Sequence, residues 1–358
     1  MAAWRVSCGP MIAAQHPESL AAALHLSRTL GLPRALAAAA LILATACSSP
    51  NNELAPEIIP KAINESIVAC GQKLFVGAPV VLWTDPLGYS AYETELHFAR
   101  PSVGTDRPAS GELRYKPGRT NRQTGEVLVE PEHGTLDDLK RALDLFVVHY
   151  DVCGVSQTCF KVLHDRRGLS VQFMIDVDGT IYQTLDMRDT AWHASQTNYR
   201  SVGVEIAQIG AYPRNEKGDA TLARWYEEGP DGTRLTLPKP PGELGVLTSG
   251  FQGRPARDQK VLGRIQGGAL QQYDYTPEQY DSLVKLAATL CHHFPKMEAD
   301  APRDADGRVS TVRMDEAAEL DFGGILGHYH VSSRKIDPGP AFDWRRFLAR
   351  VRARMTAM

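Results

Sequence analysis

Residues 327–340 read "GHYHVSSRKIDPGP", which places His328 and Asp337 in one short segment punctuated by Pro338, Gly339 and Pro340. An apolar run closing on a histidine occurs a second time, in "LFVVHY", where His149 is the histidine. Two histidines and a carboxylate suit a catalytic zinc set, because Zn²⁺ takes N and O donors tetrahedrally and leaves a fourth position open for water. A carboxylate that closes such a site must be held still, and the two prolines fix φ on either side of Gly339. Hydrolysis of an amide further needs a base and a group that stabilises negative charge. Glu205 interrupts the apolar pattern "SVGVEIAQIG", where an ionised carboxylate is costly to bury unless it is paired or functional. Lys335 stands two residues before Asp337, near enough in sequence to support an oxyanion. Each residue also has a plain structural reading: a strand-end histidine bonded to a carbonyl, a buried ion pair for Glu205, a solvated lysine.

These residues need elements to carry them. "LFVVHY" is continuously apolar, as in a central strand covered on both faces. "SQTCFKVLHDRRG" predicts a short helix with Ser156 as N-cap and Gly168 as stop. "VQFMIDVDGTIYQTL" predicts a hairpin turning at Asp178-Gly179. The strand containing Glu205 puts Val202, Val204 and Ile206 on one face and Gly203, Glu205 and Ala207 on the other. In "TPEQYDSLVKLAATLCHHF", Thr276, Pro277 and Gln279 give a capping box ahead of apolar residues at helical spacing. "FDWRRFLARVRARM" predicts a last helix with Trp344, Phe347, Leu348 and Val351 inward. Residues 73–84 read as a strand pair broken at Gly-Ala-Pro, 101–135 as a long surface loop and 214–268 as a surface insertion. The expected fold class is α/β, a central mixed β-sheet flanked by helices, with an N-terminal extension and a long surface insertion.

The chain of 358 residues, 43% hydrophobic and 23% charged, can bury a sizeable core. A formal net charge of -3 gives no bulk electrostatic case for nucleic acid as a partner. The stretch "RALAAAALILATACS" has a basic residue, a short apolar run and small residues before Cys47. That run is too short to span a bilayer, which takes about 20 residues, but suits a signal peptide. Its end resembles the lipobox of bacterial lipoproteins, which implies lipidation at Cys47; a plain secretory signal cut nearby is the alternative. The basic residue lies far from Met1, leaving Met11 or an alternative codon as candidate starts. Export to an oxidising compartment makes a local disulfide between Cys153 and Cys159 the expectation. A zinc ribbon would want CxxC pairs, which the chain lacks.

Taken together, "FVVHY", "DVDGTIYQTLDMRDTAWHA", "NYRSVGVEI" and "GHYHVSSRKIDPGPAFDW" resemble the zinc-dependent N-acetylmuramoyl-L-alanine amidases of the phage-lysozyme amidase and peptidoglycan recognition protein superfamily. The resemblance implies that His149, His328 and Asp337 bind Zn²⁺, that Glu205 activates water and that Lys335 supports the oxyanion. It places His193 and Asn198 against the muramyl-peptide, and the superfamily also offers a precedent for the Cys153–Cys159 disulfide. Val171 and Gln172 stand where many members carry Tyr-His, which favours the glutamate over a tyrosine-assisted mechanism. His330 competes with His328 as a ligand, although the glycine before His328 makes His328 the better match. The implied organisation is a signal peptide (1–47), a tether (48–70), an extension (71–140) packed on the catalytic domain, and a zinc amidase domain (141–358). The implied setting is the cell envelope, with peptidoglycan as substrate, a lipid-anchored membrane attachment, no nucleic acid and a monomeric state. A peptidoglycan receptor without chemistry and a zinc peptidase cutting within the stem peptide are the competing readings.

Overall fold

The computed structural model of the protein describes residues 64–98 and 112–358. The expected signal peptide, Cys47 and the tether up to residue 63 lie outside the described residues. A seven-stranded mixed sheet organises the rest. In chain order its strands are β1 (Asn64–Ala69), β2 (Gln72–Leu82), β3 (Leu145–Tyr150), β4 (Phe173–Ile175), β5 (Ile181–Gln183) and β6 (Ser201–Ile206); after a separate hairpin of β7 (Val261–Ile265) and β8 (Gly268–Gln272) comes the last, β9 (Gly324–Gly327). Spatial order is β1-β2-β5-β4-β6-β3-β9. The β4, β6, β3 and β9 strands run parallel, whereas β1 with β2 and β4 with β5 form antiparallel pairs. The helices that matter for the site and core are α1 (Leu136–Ala142), α2 (Ser156–Phe160, continuing as a π-helix over Lys161–Arg167), α3 (Pro277–His293), α4 (His328–Val331) and α5 (Trp344–Thr356).

The period of two along a strand sorts the sheet into two faces. Phe146, Val148 and Tyr150 of β3 and Val202, Val204 and Ile206 of β6 join Leu283, Ala287 and Leu290 of α3 and Phe347, Leu348 and Val351 of α5 in the main core. Each fully buried Val, Leu, Ile or Phe among them contributes about 1.5–3 kcal/mol through removal of apolar surface from water. On β3 the alternate residues Leu145 and Val147 join Leu326 of β9 in a smaller cluster, and His149 continues their row. The expected capping box of α3 is present: Thr276 Oγ1 accepts from the Gln279 N–H, and the Gln279 carboxamide accepts from the Thr276 N–H.

Several expectations are corrected. The last residues assigned to the tether form β1, and residues 73–84 are no broken pair, because β2 runs through Gly-Ala-Pro as one strand with Gly77 at φ +74° absorbing the distortion. The N-terminal extension therefore contributes two strands to the sheet itself. Within the expected loop 101–135, the described part holds short paired strands and two fully buried arginines, Arg114 and Arg119. Ser156 is the first residue of α2 and not its cap; Val155 occupies that position without a side-chain bond. Gly168 ends the helical segment in a left-handed conformation, as expected. Residues 214–268 carry a helix, a hairpin and β7, with apolar clusters of their own. No helix among the described residues is long and apolar enough to cross a membrane.

Candidate metal centre

Three parallel strands deliver the chemistry to their C-terminal ends, where open α/β sheets place ligands. His149 is the penultimate residue of β3, Glu205 is its register partner on β6, and His328 follows β9 directly. Asp337 arrives on the loop after α4, tied back by a bond from the Tyr329 N–H to its own carbonyl at 3.2 Å. Residues far apart in sequence thus meet because β3 lies between β6 and β9.

His149 Nδ1 and His328 Nδ1 are 2.8 Å apart, and Asp337 Oδ2 lies 3.1 and 2.9 Å from them. All three side chains are buried. Three mutual contacts of this length cannot all be hydrogen bonds, since a proton on either nitrogen can serve one partner and two such protons would face each other. Three potential donor atoms this close together form an arrangement that a cation satisfies. The donors form a triangle a little tighter than the edge of about 3.3 Å that Zn–N and Zn–O bonds of about 2.0–2.1 Å imply for a tetrahedron. Protonation states agree with this role. Burial, reinforced by the neighbouring His328, lowers the His149 pKa to about 4, so the ring is neutral at pH 7. For Asp337 burial acts upward, but electrostatic attraction to His328 and hydrogen bonding to the two rings outweigh it and hold the carboxyl well below the ordinary range. A neutral His149 ring and an ionised Asp337 carboxylate are forms that bind metal.

Glu205 lies on the same face as His149. Its Oε2 is enclosed and has no hydrogen-bond partner. Burial first, and then the negative charges of Asp337 and Asp151, push its carboxyl well above the ordinary value, with Lys335 and Arg167 opposing them. A carboxyl with one enclosed, orphaned oxygen beside the donor triangle is suited to proton transfer. Lys335 is exposed, and its charge acts on both His149 and Glu205. Val171 and Gln172 are buried, with the Gln172 carboxamide oxygen accepting from the Gly203 N–H at 2.9 Å, so neither presents a group to the centre.

His193 and Asn198 are half-buried and also make contacts within the fold. His193 Nδ1 lies 3.0 Å from His149 Nε2, and its Nε2 lies 3.3 Å from Ser201 Oγ. With the His149 Nδ1 lone pair free for a cation, Nε2–H donates to His193 Nδ1, which fixes the ring as an outer partner does for a metal-binding imidazole, although here the acceptor is a second imidazole. The Asn198 side-chain oxygen accepts from the N–H groups of His193 and Ala194 and so shapes the loop that carries His193. His330 does not compete as a ligand: Nδ1 accepts from the Gly327 N–H at 2.9 Å and Nε2–H donates to the Ser310 carbonyl at 2.8 Å. Cys153 and Cys159 are free thiols, correcting the expected disulfide. Both belong to an apolar cluster with Phe160 and Tyr182, and burial pushes both thiols upward, which keeps them protonated and unreactive. Sequence reasoning missed Ser201, because a serine opening an apolar strand carries no distinguishing pattern.

The profile of the N-acetylmuramoyl-L-alanine amidase family matches residues 139–340. A curated relative, the 1,6-anhydro-N-acetylmuramyl-L-alanine amidase AmpD of Haemophilus influenzae, is 31% identical over 105 residues, which are 29% of this chain and 44% of that protein. The chain thus spans less than half the length of the curated relative it matches. Among solved structures it is similar to the endolysin N-acetylmuramoyl-L-alanine amidase LysCS from Clostridium intestinale, with 16% identity, 60% of this chain and 86% of that one covered, and a TM-score of 0.31. It is also similar to the amidase AmiD from E. coli, in complex with anhydro-N-acetylmuramic acid-L-Ala-D-gamma-Glu-L-Lys, with 15% identity, 58% and 57% coverage, and a TM-score of 0.32. Structural likenesses at such scores carry no weight for activity. The profile spans more than half of the chain and contains every residue of the triangle, and the chain belongs to the N-acetylmuramoyl-L-alanine amidase family.

Proposed function

We propose that the protein is a zinc-dependent peptidoglycan hydrolase that cuts the amide between N-acetylmuramic acid and the L-Ala of the stem peptide. The observation that carries the reading is the triangle of His149 Nδ1, His328 Nδ1 and Asp337 Oδ2, no side longer than 3.1 Å, on the face shared with Glu205. His149, His328 and Asp337 would hold the zinc. When bound, it supplies Lewis acidity that activates water at neutral pH and polarises the scissile carbonyl. With the positive charge of the bound metal offsetting the burial that otherwise keeps it neutral, an ionised Glu205 takes a proton from the attacking water and returns it to the departing nitrogen. The water oxygen joins the lactyl carbonyl carbon, the C–N bond breaks, and the L-Ala amine leaves with the proton. Lys335 offers positive charge to the developing oxyanion, and His193 keeps His149 oriented. The same reading includes export to the cell envelope, a lipid anchor at Cys47 and action as a monomer.

The test uses the full chain. Purified protein is expected to hold about one zinc per chain and to release peptides with a free L-Ala amino terminus from sacculi and from an anhydro-N-acetylmuramyl-peptide, activity that chelation abolishes. Zinc-free protein that binds sacculi without cutting them would establish the receptor, and fragments cut inside the stem peptide would establish the peptidase.

A further inference from the structure

The loop that brings Asp337 and the helix that brings His328 are both gripped by one hairpin, β7–β8, which closes the long insertion. At its C-terminal end, Gln272 is fully buried. Its carboxamide N–H donates to the Pro338 carbonyl at 3.2 Å and its oxygen accepts from the Ala341 N–H at 3.0 Å. Pro338 directly follows Asp337, and Ala341 closes the same turn. Gly339 sits at φ +81° against this amide, where an added Cβ would fall 2.2 Å from Gln272 Oε1. Tyr275, just beyond the hairpin, donates to the same Pro338 carbonyl at 2.8 Å. At the turn, Gln266 donates to the Tyr329 carbonyl at 2.8 Å and the Ser332 carbonyl at 3.3 Å, at the two ends of the short turn that starts with His328. Its own oxygen accepts from the Arg313 N–H at 3.2 Å. Two glutamines, six residues apart on one hairpin, therefore fix the backbone on both sides of the gap between His328 and Asp337.

We propose that the β7–β8 hairpin sets the metal affinity of the centre, with Gln272 as the positioning residue for Asp337 and Gln266 as the matching tie on the His328 turn. The inference rests on the reading of the centre as a zinc site. Neither glutamine touches the donor atoms; each acts on the backbone that carries them, and a donor triangle loosened by a fraction of an ångström binds its cation less well.

Zinc dissociation constants are measured on the full chain by competition with a chromophoric chelator. Gln272→Met keeps length and apolar bulk while removing both amide bonds, and is expected to weaken zinc binding about tenfold or more with an unchanged circular dichroism spectrum of the metal-free protein. Gln266→Met alters only a half-exposed turn, and is expected to weaken binding several-fold without lowering the metal-free Tm. A purely structural role would lower the Tm and leave the affinity of the folded protein as it was. Wild-type affinity in folded Gln272→Met overturns the proposal; should that variant fail to fold, wild-type affinity in Gln266→Met overturns it. Failure of the metal reading itself appears earlier, as wild-type protein that binds no zinc.

Discussion

Glu205 is held under opposing demands. Its enclosed Oε2 has no partner and its carboxyl is displaced well upward by burial and by neighbouring negative charge, so in the metal-free fold it favours the neutral form. The unfolded chain loses that proton near pH 4.5, the ordinary value. Above it the unfolded state binds fewer protons than the folded one, and folding stability declines as pH rises toward the displaced pKa. Glu205→Gln removes this cost. The variant is expected to melt at a higher temperature than wild type at pH 7 when both are metal-free, while amide hydrolysis falls about 10²–10⁴-fold with zinc content retained. Full activity in the variant would take the proton-transfer role from Glu205. The histidines behave in the opposite sense. His149 and His330 are both lowered to about 4, chiefly by burial. Their unfolded forms take protons near pH 6.5, so the stability from keeping them neutral is complete above that pH and is lost as pH falls from 6.5 to about 4. A chelator-treated His330→Gln variant, which cannot take that proton, is expected to lose less Tm than wild type as pH falls through this window, and an identical pH dependence in the two would contradict the assignment.

Strands decide which side chains share a face, and β6 shows how tight that assignment is. Gly203 precedes Glu205 on the same face, and a Cβ there would stand 2.6 Å from His193 Nδ1. Gly203→Ala must displace the His193 ring and with it the 3.0 Å bond to His149 Nε2. The expected result is zinc binding weakened by about tenfold or more, read by chelator competition; unchanged affinity would show that His193 does not orient His149. At this scale much was legible in the sequence. The period of two in "SVGVEI" and the unbroken apolar run in "LFVVHY" gave the strands and the face of Glu205, and the Thr276 capping box gave the start of α3. The triangle of His149, His328 and Asp337 could be named because its residue types and spacing are rare together. Its supports could not. Gln266, Gln272 and Ser201 act through backbone carbonyls and ring nitrogens reached only by folding, and nothing in their local sequence distinguishes them from surface amides and hydroxyls. Buried Arg119 was equally hidden, since arginine ordinarily faces water, whereas here its guanidinium donates to the carbonyls of Met187, Asp189, Asn198, Tyr199 and Ser201.

For the whole molecule the question is where the folding unit starts. The sequence motifs begin near residue 145, which invites a boundary at about 141. The sheet does not respect it. Strand β2 pairs with β5 through Val80–Leu82 and covers what would otherwise be a bare edge. Val76, Ala78 and Val80 are buried in the main core, and Thr289 of α3 bonds the Phe75 carbonyl across the packing surface at 3.2 Å. Arg119, also upstream of residue 141, holds the backbone on both sides of the loop carrying His193. The described residues, 64–98 and 112–358, accordingly group as one unit. A fragment of residues 141–358 would expose the edge of β5 and the apolar surface of α3, and lose the arginine that donates to five carbonyls, among them the Met187 carbonyl that takes two of its bonds. It is expected to be aggregation-prone or molten, with little cooperative melting and no high-affinity zinc binding, whereas a fragment of residues 64–358 is expected to melt cooperatively near the temperature of the full chain. Differential scanning calorimetry of the two fragments separates the cases. A cooperative, zinc-binding fragment 141–358 would show that the upstream strands merely decorate a unit already complete without them.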